Sequence, residues 1–314
     1  MVDGVPLSKV DWKLFQLLVE YHLDPIDSLT EKLGATSTTK MRRMLNAFSE
    51  KYQLSICVEV LDWERVGLHP FIVIGDEPLD HPYVLSIYEL LGSTQQYLSL
   101  CVTPSPHQIP LALSDVFNVT QIYPPINSGY YLHESAQDVF YTDEWLLRLK
   151  EIMFEDEMGD VVRPDFQRGE PEPIQVNPTF LKSLSRVFLN ERLRNRSQYF
   201  NLDFIRTHKA SGFLTTYLDF HMPELTDYLL ILDDLVNPAL FVGGFTLFPL
   251  AKLYETPNAL ICYFKGVEQD LSRFATIIFT HLREICQPAL WVVSEKSYKF
   301  DLLDQWENGG WKPF

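Results

Sequence analysis

The chain has 314 residues, 46% hydrophobic, 22% charged and 13% aromatic, a globular composition with length for about two domains. Its net charge of -16, from 26 Lys and Arg against 42 Asp and Glu, argues against binding nucleic acid unless positive charge is gathered locally. Mean hydropathy is -0.06 and no run approaches the roughly 20 apolar residues of a membrane helix. Met1-Val2-Asp3-Gly4-Val5-Pro6 has neither the basic region nor the apolar run of a secretory signal. A cytoplasmic protein without a membrane partner is expected. Cys57, Cys101, Cys262 and Cys286 are scattered, and no CxxC, HxH or HExxH occurs. The residues therefore predict no metal site, no cofactor and no catalytic group.

In chain order, Trp12, Phe15, Leu17, Leu18 and Val19 crowd one side of a helix after Asp11, which His22-Leu23-Asp24-Pro25 ends. Ile26 to Leu33 reads as a short helix with Pro25 at its start and Gly34 past its end. Ser37 or Thr38 then caps a third helix, striped by Met41, Met44, Leu45 and Phe48. Ser55 to Leu61 is β-rich and suits a wing or a linking strand. Residues 30–51 hold five bases against two acids, a basic island in an acidic chain. This is the helix-turn-helix arrangement.

The run from Asp24 to Leu45 resembles the winged helix-turn-helix of the Lrp/AsnC (feast/famine) transcription regulators, in a tandem, archaeal style. Val60 to Leu68 resembles that family's passage into its ligand-sensing RAM domain. The resemblance implies an α+β protein: a winged helix-turn-helix followed by a ferredoxin-like βαββαβ sensing domain, here partly duplicated. It implies sequence-specific binding of double-stranded DNA, and Thr36, Ser37, Thr38, Thr39, Lys40, Arg42, Arg43 and Asn46 are the expected contacts. Hydroxyls and N–H groups at a helix start suit phosphates, and Arg suits a guanine edge.

Downstream, Phe71 to Ile74 reads as a strand, and Tyr83 to Leu91 and Tyr97 to Val102 as a hairpin turning at Gly92 to Gln96. His107 to Phe117 would be a helix and Val119 to Tyr123 a closing strand. Gly75 to Pro82 leaves no room for the unit's first helix, so this sensing domain is truncated. Residues 131–175 carry twelve acids against four bases and read as an acidic linker. Residues 180–210 form a second basic island, seven bases against two acids. Asn190 to Arg196 would be the basic helix of a diverged second helix-turn-helix. For Arg192, Arg194 and Arg196, DNA contact and pairing with the acidic linker both stand.

The remainder reads as a second βαββαβ unit: strand Phe213 to Phe220, helix Pro223 to Leu235, strands Ala239 to Tyr254 and Ala259 to Phe264, helix Val267 to Cys286 and strand Ala289 to Val293. Ile87-Tyr88-Glu89 with Leu98 to Cys101 echoes Leu253-Tyr254-Glu255 with Leu260 to Cys262, a weak internal repeat.

The expected domains are 1–62, 63–130, 131–175, 176–210, 211–301 and a tail at 302–314. By resemblance, an amino acid or other small effector would sit near the hairpin turns, at Gly92, Ser93, Thr94 and Gln95 and at Glu255, Thr256 and Asn258. A homodimer through the RAM-like domains is also implied. The expected protein is a regulator and not an enzyme. Two alternatives stand beside it: a wing-plus-RAM scaffold enzyme like the family-related sirohaem decarboxylases, and a ligand-sensing adaptor that does not bind DNA.

Overall fold

The structure is a computed structural model that describes residues 9–105, 119–124, 127–131, 172–188, 191–192, 202–221, 225–236, 238 and 251–313. The first three helices are α1 (Lys9–Tyr21), α2 (Ile26–Leu33) and α3 (Thr38–Tyr52). Each stop has a local cause. Gly34 takes the left-handed conformation (φ +68°) that ends α2. At the start of α3 the Ser37 hydroxyl accepts the Lys40 N–H at 3.2 Å. Met41, Leu45, Phe48 and Tyr52 turn inward against Leu14, Leu18 and Leu29.

Strand β1 (Ser55–Val60) follows as the expected wing. Its partner comes from far along the chain. A second winged-helix unit is built from α4 (Pro178–Phe188), the two-residue strand β7 (Glu191–Arg192), α5 (Leu202–Ala210) and β8 (Leu214–Asp219). β1 and β8 pair antiparallel from Ser55–Asp219 to Val60–Leu214, and β7 pairs with the other edge of β1. The two wings thus form one ribbon. Its outer face alternates Ile56 and Leu218, packed into the first unit, with Val58, Val60 and Leu214, packed into the second. Buried His22, just past the end of α1, bonds Thr216 of β8 at 2.9 Å through Nε2, which ties the units across the ribbon.

Below the ribbon lies a nine-stranded antiparallel sheet. Its strands are β2 (His69–Gly75), β3 (Val84–Leu91), β4 (Gln95–Thr103), β5 (Val119–Tyr123), β6 (Asn127–Tyr131), β9 (Leu225–Asp233), β10 (Ala251–Glu255), β11 (Leu260–Val267) and β12 (Gln287–Tyr298). Their order is β5-β2-β4-β3-β12-β9-β11-β10-β6. Read from either half, the strands follow the ferredoxin-like order fourth-first-third-second, so the repeated Tyr88 and Tyr254 hairpins occupy equivalent places. β12 joins the halves: Gln287 to Val292 pair with β9, and Val292 to Tyr298 with β3 across a register shift at Val293/Glu295. Ile72, Ile74, Leu98 and Leu100 of the first half share one core with Leu229, Ile231 and Ile261 of the second. The two half-sheets therefore face each other inside one chain. The outer face of the second half is covered by α6 (Glu268–His281) through Phe274 and Ile278.

Several expectations are corrected. Pro223 to Leu235 is not a helix: Leu225–Asp233 is strand β9, the sheet's central apolar run, buried on both faces. Leucine richness suits either element, and burial on two faces selects the strand. The second sensing unit accordingly begins at β9, while Phe213 to Phe220 belongs to the ribbon. The first hairpin turns at 92–94, with Gln95 already in β4. Glu191 and Arg192 form a strand, not part of a basic helix. In the C-terminal stretch Leu302 is buried, and the Trp311 indole donates to the Val66 carbonyl at 2.7 Å. The helices expected at 107–117 and 193–196, the strand start at 239–250 and the linker at 132–171 lie outside the described residues.

Candidate functional site

The ribbon's inner face carries the positions that alternate with its apolar ones: Cys57 and Glu59 on β1, Tyr217 and Asp219 on β8. They meet the end of the sheet's inner face where polar side chains replace aliphatic ones. Two ionic groups fill the seam. In one, the Lys252 ammonium lies 3.0 Å from Glu59 Oε1 and the Tyr254 hydroxyl donates to the same oxygen at 3.3 Å. Glu59 is 8% exposed and Lys252 6%. In the other, Lys265 lies 2.6 Å from Asp227 and 3.4 Å from Asp219, and Lys296 reaches Asp227 at 3.3 Å and Asp219 at 3.6 Å. Lys296 also donates to the Tyr263 hydroxyl. Each group sums to zero charge, which is what makes it tolerable in an interior.

The electrostatics follow from that pairing. Burial penalises the Lys252 ammonium, yet the Glu59 carboxylate together with Tyr254, Tyr88 and Tyr298 outweighs it and holds the lysine well above its ordinary range. Burial likewise opposes the Lys296 charge, and Asp219 and Asp227 reverse the balance upward. Both aspartates sit below their usual range, burial being overcome by the two lysines. Tyr217, Tyr254, Tyr263 and Tyr298 are all pushed up by burial and then by neighbouring groups. In the resting seam Lys252 and Lys296 are held charged, Asp219 and Asp227 ionised, and the four tyrosines keep their hydroxyl hydrogens.

Beside Glu59 and Lys252 is a cavity of about 20 Å³, lined on its polar side by Ser86, Tyr217 and Tyr298 and on its apolar side by Trp63, Leu85, Leu100 and Phe188. Among the described residues no three His, Cys, Asp or Glu are grouped to hold a metal ion, and no helix is long and apolar enough to cross a membrane.

The residues singled out from the sequence lie elsewhere. Thr36, Ser37, Thr39, Lys40, Arg42, Arg43 and Asn46 share the exposed side of the first helix-turn-helix, with Thr38 half-buried. Ser37 is occupied as the helix cap. Arg192 pairs with Ser55 through its backbone, and Arg194 and Arg196 lie outside the described residues. Gly92, Ser93 and Thr94 form an exposed turn in which a Cβ on Gly92 would stand 2.8 Å from the Trp291 ring. Gln95 bonds Tyr97 at 2.7 Å and Glu89. Thr256 spends its hydroxyl on Ala259, the Asn258 carbonyl accepts the Leu235 N–H at 2.7 Å, and Glu255 ends β10. Each turn is satisfied by its own neighbours.

No family model matches the chain, and no curated protein matches it. Two solved structures do: one of the siroheme decarboxylase NirDL, and one of the same enzyme in co-complex with an iron-uroporphyrin III analogue. Each is 12% identical over 92% of both chains, with TM-scores of 0.46 and 0.45. The expectation of a protein that is not an enzyme is corrected on this finding, since both matched chains are of an enzyme. The α+β architecture of winged helices on ferredoxin-like units stands on the strand order itself.

Proposed function

We propose that this protein is a wing-plus-RAM scaffold that carries chemistry in its interior, a decarboxylase of the type that acts on siroheme. The observation behind the reading is the buried Glu59–Lys252 pair at the cavity, with the Tyr254 hydroxyl donating to Glu59. A buried lysine with a displaced pKa at a cavity marks a candidate functional site. Loss of CO2 from a carboxylate leaves an electron pair on carbon that must take up a proton. Lys252 holds one, Glu59 orients the ammonium, and Leu85, Leu100 and Phe188 give the cavity an apolar wall. A cavity of about 20 Å³ admits only the tip of a substrate, so the macrocycle would lie outside it. The test is an absorbance titration with siroheme followed by mass spectrometry of the tetrapyrrole. A spectral shift and successive losses of CO2, abolished in Lys252→Met, are expected. Unchanged spectra and masses would overturn the reading.

A second reading, the DNA-binding regulator, is favoured by one observation, the exposed Lys40, Arg42 and Arg43 on α3. Binding to duplex DNA that weakens steeply with salt supports it, and binding unaffected by Arg42→Ala with Arg43→Ala removes it.

A further inference from the structure

The Ser86 hydroxyl is the feature of the seam that the ion pairs leave unexplained. Ser86 is 2% exposed on β3, its Oγ has no hydrogen-bond partner among the described residues, and it lines the cavity that Glu59 and Lys252 also line. An orphaned buried hydroxyl is costly, and native proteins satisfy nearly all such groups. A water needs roughly 10–15 Å³ and two to four polar partners. This cavity has about 20 Å³ and offers Ser86, Glu59, Lys252, Tyr217 and Tyr298. Apolar cavities stay dry, but this one has a polar wall on the ionic side.

We infer that the cavity is a binding site for one water molecule, held by Ser86 Oγ and shared with the Glu59–Lys252 pair. This water would lie beside the buried lysine. It gives Lys252 a partner from which to regain a proton after releasing one: the ammonium loses H⁺ to a substrate carbon, the water gives H⁺ to the neutral amine, and solvent returns H⁺ to the water, so the net proton consumed comes from bulk water. That use rests on the proposed decarboxylase reading, whereas the binding site does not.

The sign of one substitution decides the matter. If the cavity holds water, Ser86→Ala removes a satisfied hydrogen bond and strips the water of a partner, and the urea midpoint falls. If the cavity is dry, the same change removes an unsatisfied hydroxyl, and the midpoint rises. A severalfold smaller folding constant in Ser86→Ala is expected, together with a density peak within hydrogen-bond distance of Ser86 Oγ in a crystal structure of the wild-type protein. A midpoint that rises or stays unchanged overturns the inference. Neither measurement involves siroheme, so this inference and the decarboxylase reading fail separately.

Discussion

The two winged-helix units share a ribbon and differ in what the helix before each unit's long ribbon strand, α3 in one and α5 in the other, does. In the first, α3 runs 15 residues and shows its bases to solvent. In the second, α5 runs 9 residues, and its bases, also exposed, make contacts back to the protein: Arg206 donates to the Leu23 carbonyl at 3.3 Å and Lys209 to Thr216 at 3.2 Å. Burial also lowers the pKa of Lys209. A duplicated unit has become a brace that holds the other in place, while the chemistry of both wings is gathered on the ribbon's inner face. A regulator reading two half-sites needs two equivalent helices, and the described parts of α3 and α5 differ in length and in what their bases touch.

The hardest blow to that arrangement is struck at the shared ribbon. Lys252→Ala strands the Glu59 carboxylate in the interior and should cost about 3–5 kcal/mol in urea unfolding. Adding Glu59→Gln should restore most of the loss. Full additivity of the two changes would mean that the pair is not coupled.

Truncating either unit's core comes next. Met41→Ala in the first and Ile205→Ala in the second, both fully buried, should each cost roughly 2–5 kcal/mol. Because both units pack on one ribbon, calorimetry should show a single lowered transition in either variant. Two separated transitions would make the units independent.

A pH dependence separates the units more finely. His208 of α5 lies among Phe180, Phe204 and Phe213, and burial, then Arg65, hold it below the ordinary imidazole value of 6.5. Below that value the unfolded chain takes up a proton that the folded chain resists, so this contribution is complete above about pH 6.5 and is lost as pH falls through that point. His81 acts in the same direction. Urea midpoints between pH 5 and 7 should rise with pH, less steeply in His208→Gln. An unaltered slope would remove His208 from the account.

The smallest effect belongs to the exposed helix. Arg42→Ala with Arg43→Ala should leave stability within about 0.5 kcal/mol, since neither arginine is buried. A larger loss by chemical denaturation would mean that α3 is held by its bases.

Much of the fold is legible in the residues because its signals are local. Gly34, the Ser37 cap and the Met41-Leu45-Phe48 stripe define the first unit, and the matching Tyr88 and Tyr254 hairpins mark the duplication. β9 is not legible as a strand because an apolar run buried on both faces has no alternation to separate it from a helix. The candidate site depends on pairings between distant segments. Its trace in the sequence is a lone charge inside an apolar run, as in Val58-Glu59-Val60, Ala251-Lys252-Leu253 and Phe264-Lys265-Gly266. Such a charge demands a partner, but nothing local says which one. The first unit's third helix drew attention because exposed bases are conspicuous, while buried ones read as interruptions.

The shared ribbon also governs how the chain must be assembled. His22 and Thr216 are 194 positions apart, Glu59 and Tyr254 are 195, and Glu89 and Ser294 across the β3–β12 seam are 205. Pairings this remote make folding slow, because long loops must close before any contact forms to reward them. During synthesis β1 emerges with its helices complete and an open strand edge, and it waits for more than half the chain before β8 covers it. An open edge is a template for pairing with other chains. The first winged unit, the part that looks most self-sufficient in sequence, is therefore exposed to misassembly until β8 arrives.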